Sequence, residues 1–303
     1  MQGEPHRMGI IDTLSTELAD RTAEAGSFTV GIHGGQRPSS GILWRPDVVV
    51  ASEQVLPEDA TGLSVIRGGT RIAATPAGRD PGTNVAVLKL ESPLDGALPR
   101  PETEPLRAGS LALLLGGDTS GNPTARLATV HEIGPAWHSM AGGRIDAFIR
   151  LDARLAADEG GPVIALSGGL IGMSTSGPRH RTIVIPTGTL ERVVDPLLAD
   201  GRIARGWLGI GLQPVMIPDS FRQSTGRDSG LMVVSLADGA PASTAGILPG
   251  DIVLDIDGTA VSRPRALTAS LGPDRIGQAV ALRVLRAGAV ETIAVTVAAR
   301  PAA

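Results

Sequence analysis

Residues 230–261 read GLMVVSLADGAPASTAGILPGDIVLDIDGTAV, and they set the frame for the C-terminal third of the chain. Leu231–Leu236 is short, apolar and bounded by polar residues, a strand pattern. Ala240–Ala245 is a short helix opened by Pro241, whose fixed φ suits a first helical turn. Ala245–Gly246 and Pro249–Gly250 are tight turns where only small residues fit. Ile247, Ile252, Val253 and Ile256 supply the core. Asp251–Ile256 is a second strand, ended by an Asp257–Gly258 turn. The pattern continues outward. Leu208–Leu212 is a strand before it, and Arg265–Leu271 a helix after it, bounded by Pro264 and by Gly272–Pro273. Val280, Leu282 and Val284 alternate, as do Ile293, Val295 and Val297. Gly206 to Ala303 is therefore a small α+β domain.

Upstream the grammar differs. Phe28–Ile32, Gly41–Trp44, Val48–Ala51, Leu63–Ile66, Val85–Leu90 and Leu111–Leu115 are strand candidates. Leu127–Ile133, Ala147–Leu151, Val163–Leu166, Leu170–Ser174 and Thr182–Ile185 follow. Gly, Pro and Asp clusters separate them at sandwich- or barrel-like spacing, and no long helix intervenes. Two all-β barrels or sandwiches are expected. Thr189–Leu198 is helical, with Leu190, Val193, Val194 and Leu197 on one side. At the N-terminus Ile10, Leu14 and Leu18 make a helical stripe, which either packs on its own domain or meets another subunit. The expected division is an N-terminal helix over 1–27, a β domain over 28–198, a linker over 199–205 and the small domain over 206–303.

Composition narrows the function. The chain has 303 residues, of which 19% are charged and 42% hydrophobic, with a formal net charge of −4. No basic stripe offers itself to nucleic acid. There is no cysteine, hence no disulfide framework and no thiolate nucleophile or ligand. No stretch reaches the ~18 apolar residues of a membrane span. Met1 to Asp20 lacks a cationic start and a continuous apolar run, so the expected location is cytoplasmic. No phosphate loop occurs, and the five histidines, His6, His33, His131, His138 and His180, fit no metal-ligand spacing. No cofactor and no metal are expected.

Gly230–Val261 resembles the core of a PDZ domain. Arg205–Gly211, RGWLGIG, is similar to the carboxylate-binding loop of PDZ domains in HtrA/DegP-type proteases. The resemblance implies that Trp207, Leu208, Gly209 and Ile210 receive a peptide C-terminus or extended segment, added as a strand. Leu267 and Leu271 would line the side-chain pocket. The plainer alternative has Trp207 and Leu208 filling an interdomain seam. The preceding part resembles the trypsin-like protease domain of the same family. Ser39–Ile42, Arg79–Lys89, Asp152–Ala153, Glu159–Val163 and Gly169–Met173 follow its landmarks in order. The implied architecture is mainly β, a trypsin-like double barrel followed by a PDZ domain, in a bacterial protein-quality-control setting.

The resemblance also places the catalytic triad, and all three positions are substituted. The His position holds Gln54, the Asp position Asn84 and the nucleophile position Glu159. Acyl transfer needs a nucleophile, a base and a group that orients the base. A Gln amide is no base near neutral pH, and a carboxylate is a poor nucleophile toward an amide. The oxyanion loop, Ala157, Asp158 and Glu159, carries two carboxylates where negative charge develops. Glu159 is expected to accept from Gln54 and from oxyanion-loop N–H groups, forming a self-occupied polar cluster. A carboxylate hydrolase built on Asp152, Asp158 and Glu159 would need side chains that adjacent turn residues point apart. Two functions fit. One is an inactive HtrA-like adaptor or regulator that binds peptides through the PDZ domain, alone, as a homo-oligomer or with an active relative. The other is a serine-endopeptidase-family protein with residual or repurposed activity.

Overall fold

The computed structural model describes residues 9–34, 38–156 and 159–301. The chain divides between Ile203 and Ala204 into two compact units.

The first unit opens with α1 (Ile10–Gly26), whose first turn is closed by the Gly9 N–H donating to Asp12 Oδ2 at 3.2 Å. Strands β1 (Thr29–His33), β2 (Ser39–Arg45), β3 (Val48–Ser52), β4 (Ser64–Arg67), β5 (Thr70–Asp80) and β6 (Val85–Leu90) follow. They close a barrel in the order β1-β2-β3-β6-β5-β4. A second barrel uses β7 (Leu111–Gly117) and β8 (Pro123–Gly134). After a small ribbon of β9 (Trp137–His138) and β10 (Arg144–Ile145) come β11 (Phe148–Leu151), β12 (Pro162–Ala165), β13 (Leu170–Gly177) and β14 (Arg181–Pro186). Its order is β11-β14-β13-β12-β7-β8. Helix α2 (Thr187–Asp200) ends the unit, with Leu190, Val193, Val194 and Leu197 buried as its periodicity requires.

Burial explains the continuous apolar run in β7. Ala112 and Leu114 belong to the core of the second barrel, while Leu113 and Leu115 face the larger core shared with the first barrel and α2. A strand buried on both faces cannot alternate apolar with polar residues. Each such leucine contributes roughly 1.5–3 kcal/mol.

Three expectations change. The sequence reading omitted β5, because Pro76 interrupts its alternation; the strand tolerates it through a register shift between Pro76 and Gly78. The stripe of α1 packs only in its second half. Leu18 and Ala25 join the core, whereas Ile10, Ile11 and Leu14 are 89%, 82% and 39% exposed. The helix is thus not fully seated on its own domain. Finally, α2 runs to Asp200 and Ile203 packs on the first core, so ordered structure reaches into the 199–205 segment.

The second unit is a sheet with short helices around it. It contains β15 (Gly206–Trp207), β16 (Ile210–Met216), α3 (Asp219–Thr225), β17 (Ser229–Leu236) and α4 (Pro241–Thr244). β18 (Ile252–Ile256), β19 (Thr259–Ala260), α5 (Pro264–Ala269), β20 (Ala279–Arg286), β21 (Ala289–Thr296) and β22 (Ala298–Ala299) complete it. The main sheet runs β16-β17-β18-β20-β21, with β19 hairpinned on β18 and β15 paired with β22. Strand β16 is an edge strand, bonded on one side to β17, and α5 packs near it. Helix α3 was not foreseen; its Phe221 is the one apolar anchor, against Ile217, Leu254 and Leu285.

Candidate functional site

Gln54, Asn84 and Glu159 lie far apart in sequence and meet between the two barrels of the first unit. Gln54 sits on the 3-10 turn Glu53–Val55 that follows β3. Asn84 precedes β6 with φ of 56°, a left-handed conformation that Asn tolerates. Its side chain fixes the turn: Gln54 N–H donates to Asn84 Oδ1 at 2.9 Å, and Glu53 N–H to the Asn84 carbonyl at 3.2 Å. Asn84 Nδ2 then donates to Ser52 Oγ at 3.1 Å and to Thr175 Oγ1.

Glu159 lies on the turn before β12. Its carbonyl accepts from Ser40 N–H at 2.9 Å. Gly160 follows with φ of 88°, and a Cβ there would stand 2.3 Å from the Ser40 carbonyl oxygen. The turn therefore demands glycine whatever chemistry surrounds it. Glu159 Oε1 accepts from Gln54 Nε2 and, at 2.9 Å, from the Ser176 N–H. Gln54 Nε2 also reaches Thr175 Oγ1 at 3.1 Å and the Ser176 carbonyl at 3.0 Å.

Glu159 and Gln54 thus join in a polar cluster, in which Ser176 is a backbone donor the sequence did not point to. The N–H that Glu159 takes belongs to Ser176 on β13. Among the described residues the carboxylate reaches across to the neighbouring strand. Ala157 and Asp158 lie outside the described residues. Asp152 is no partner of Glu159. Thr129 holds its carboxyl below the usual range, first by its hydroxyl and then by its N–H at 2.7 Å. Ser52, Thr175 and Ser176 were missed. Ser52 and Thr175 are buried hydroxyls at the end of apolar strands, and the period-2 reading of β13 stopped at Ser174.

The cluster opens onto a cavity of about 970 Å³, lined among others by Pro38, Leu56, Arg154, Leu155 and His180. Sequence alone gave no reason to place Arg154 or His180 there. No described group of His, Asp or Glu side chains is arranged to hold a metal.

In the second unit, Trp207 is half-buried on β15 and Leu208 is buried in the core. Gly209 has φ of 75° and its carbonyl accepts from Ala237 N–H at 2.8 Å, while the Leu208 carbonyl accepts from Ala242 N–H at 3.0 Å. Both carbonyls are thereby turned inward. The N–H groups of Leu208 and Gly209 have no acceptor among the described residues. Ile210, half-buried, starts the edge strand β16. Leu267 and Leu271 are each 4% exposed. Their side chains belong to the core of this unit.

Known proteins agree with this architecture. Residues 39–173 match the trypsin-like peptidase domain and residues 207–297 the PDZ domain. A probable periplasmic serine endoprotease, DegP-like, of Brucella suis biovar 1 (strain 1330) is 31% identical over 281 residues. That alignment takes in 88% of this chain and 54% of the relative. One of the same description from Halomonas elongata is 28% identical over 277 residues, with 88% and 57% covered. The chain thus spans about half the length of these curated relatives. Among solved structures, the HtrA-type protease AlgW with decapeptide superposes with a TM-score of 0.75 at 22% identity, covering 94% of this chain and 99% of that one. The serine endoprotease from Yersinia pestis gives 0.74 at 20% identity, covering 93% and 98%.

Fold and matches define the class: a mainly-β, trypsin-like double barrel followed by a C-terminal PDZ domain. Within that class the chain is similar to the DegP-like endoproteases of Brucella and Halomonas. The expectation of a cytoplasmic protein is overturned, since the matched relatives are named periplasmic. The error came from reading location off the composition of the first twenty residues.

Proposed function

We propose that this protein is a non-cleaving member of the HtrA/DegP type, which holds extended segments or C-termini of other proteins on its PDZ strand. It serves as an adaptor or regulator, and the periplasmic names of its relatives support a periplasmic setting for that work. One observation carries the reading. The three triad positions implied by the resemblance hold Gln54, Asn84 and Glu159; Gln54 donates its N–H to Asn84 Oδ1 and its Nε2 to Glu159, and Gln54 and Asn84 both donate to Thr175 Oγ1. No imidazole stands at the His position and no hydroxyl or thiol at the nucleophile position, so the acyl-transfer relay of the class has neither its base nor its nucleophile. A fold does not carry an activity whose groups are replaced. The edge of β16 and the unpaired N–H groups of Leu208 and Gly209 support peptide addition. A partner chain, whether a second copy or an active relative, belongs to the same proposal.

The test is digestion of casein by the full chain and by Gln54→His/Asn84→Asp/Glu159→Ser. No cleavage by the native chain, with cleavage by the triple variant, is the expected result. Cleavage by the native chain that Glu159→Ala abolishes would overturn the reading and favour the endopeptidase alternative that the relatives' names suggest.

A further inference from the structure

Strand β13 pairs with β14 from Gly172↔Pro186 to Gly177↔Arg181, but its pairing with β12 stops at Pro162↔Met173. Beyond Met173, one edge of β13 has no strand beside it among the described residues. In an antiparallel ladder, alternate residues direct both backbone groups to the same side. Ser174 and Ser176 are the two that face this edge. Ser174 is satisfied by backbone: its N–H donates to Gly161 O at 2.9 Å, and its carbonyl accepts from Gly160 N–H at 2.9 Å. Ser176 is satisfied by side chains. Its N–H donates to Glu159 Oε1 at 2.9 Å, and its carbonyl accepts from Gln54 Nε2 at 3.0 Å. Gln54 and Glu159 also bond each other. One donor and one acceptor, linked and set side by side, reproduce what one residue of an added strand would offer.

We infer that Gln54 and Glu159 are a side-chain cap on the Ser176 rung, which keeps an extended polypeptide from adding to β13. This rests on the proposed function, since it leaves the PDZ strand as the working peptide site. The masked occupant is an unfolded chain in extended form. The edge needs one main-chain rung to bind it, and Ser176, Gln54 and Glu159 all line the 970 Å³ cavity beside apolar Pro38, Leu56 and Leu155. The substitutions at Gln54 and Glu159 thus do more than remove chemistry. They close the site to the polypeptide that the chemistry would have acted on.

Hydrogen–deuterium exchange on the full chain, with and without excess unfolded casein, tests this. In the native chain casein should leave residues 174–177 unchanged. In Gln54→Ala/Glu159→Ala the Ser176 amide should exchange faster alone, and the segment should be slowed by casein roughly threefold or more. Glu159→Gln keeps an acceptor oxygen and should behave as native, whereas a merely structural role for the charge would not spare it. Gln54→Ala, at an exposed position, gives a second reading if the double variant does not fold: casein should slow 174–177 there also, by less. Casein protection of 174–177 in the native chain, or none in either folded variant, overturns the cap. Failure of the peptide-binding proposal reads elsewhere, as no protection over 207–216, and failure of the non-cleaving proposal as casein fragments.

Discussion

Arg79 grips Glu53, and through it the turn that presents Gln54. The guanidinium donates from Nη2 to Glu53 Oε1 at 2.8 Å and from Nε to the same oxygen at 3.2 Å. Nη1 reaches the carbonyls of Pro57 at 2.7 Å and Glu58 at 3.2 Å. The pair is only 25% and 17% exposed. A planar fork fits this geometry and an ammonium does not. Arg79→Lys is therefore expected to weaken the first unit by about 2 kcal/mol, lowering its Tm by roughly 4–8 °C. Differential scanning calorimetry reads it; an unchanged first-unit transition would show the turn is held by Asn84 alone.

Glu159→Ala removes one acceptor from Gln54 but leaves it Thr175 and the Ser176 carbonyl. Ser176 N–H loses the only acceptor it has among the described residues, at a half-buried position that water can reach. The loss is expected to be small, about 1 kcal/mol. Asn84→Ala should be worse, since its side chain joins the Gln54 turn to Ser52 and Thr175. Urea titration followed by tryptophan fluorescence ranks the two; equal midpoints would mean the turn does not depend on Asn84.

What was legible in the sequence follows from the range of each interaction. The PDZ core was legible because its turns need glycine at fixed offsets and its strands alternate. That Gln54, Asn84 and Glu159 belong to one site was legible because neighbouring motifs fix their positions along the chain. The partner of Glu159 was not. Ser176 N–H is chosen by the packing of β13 against the turn at Gly160, and no local pattern reports that packing. The exposed Ile10 and Ile11 show the converse failure: a helical stripe specifies a face, not what covers it.

Acid should destabilise the second unit. Burial pushes the Asp251 carboxyl up. Hydrogen bonds from Arg286, the Leu248 N–H at 2.8 Å and the Arg286 charge outweigh this and hold it below the usual value. The Ala281 N–H, against some burial and with Arg275, lowers Asp257 likewise. A depressed folded pKa gives stability that is present above the unfolded value, about 3.9, and is lost as pH falls through the folded one. The second-unit Tm should thus hold steady from neutral pH and drop below about pH 4. Arg286→Met should cost about 3 kcal/mol at neutral pH by leaving a buried carboxylate with no countercharge and only the Leu248 N–H as donor. It should also reverse the acid limb, because protonating Asp251 then relieves the penalty. Calorimetry across pH checks both signs.

Gly209 gives the sharpest test of the PDZ strand. With φ of 75°, a Cβ there would stand 2.1 Å from Ala240 Cβ and 3.0 Å from the Trp207 ring. Its carbonyl and that of Leu208 are already tied to Ala237 and Ala242, so the loop cannot swing aside without breaking those bonds. Gly209→Ala should therefore displace the N–H groups of Leu208 and Gly209 that have no other acceptor. Gly258, with φ of 79° and open space around it, carries the same backbone strain without the clash. Gly258→Ala should lose about 1 kcal/mol of stability and keep its peptide affinity. Gly209→Ala should lose roughly tenfold or more in affinity for a fluorescein-labelled decapeptide with an apolar, free C-terminus, read by anisotropy. Equal affinities for the two variants would mean that the peptide does not enter at Trp207–Ile210, and that these residues serve packing alone.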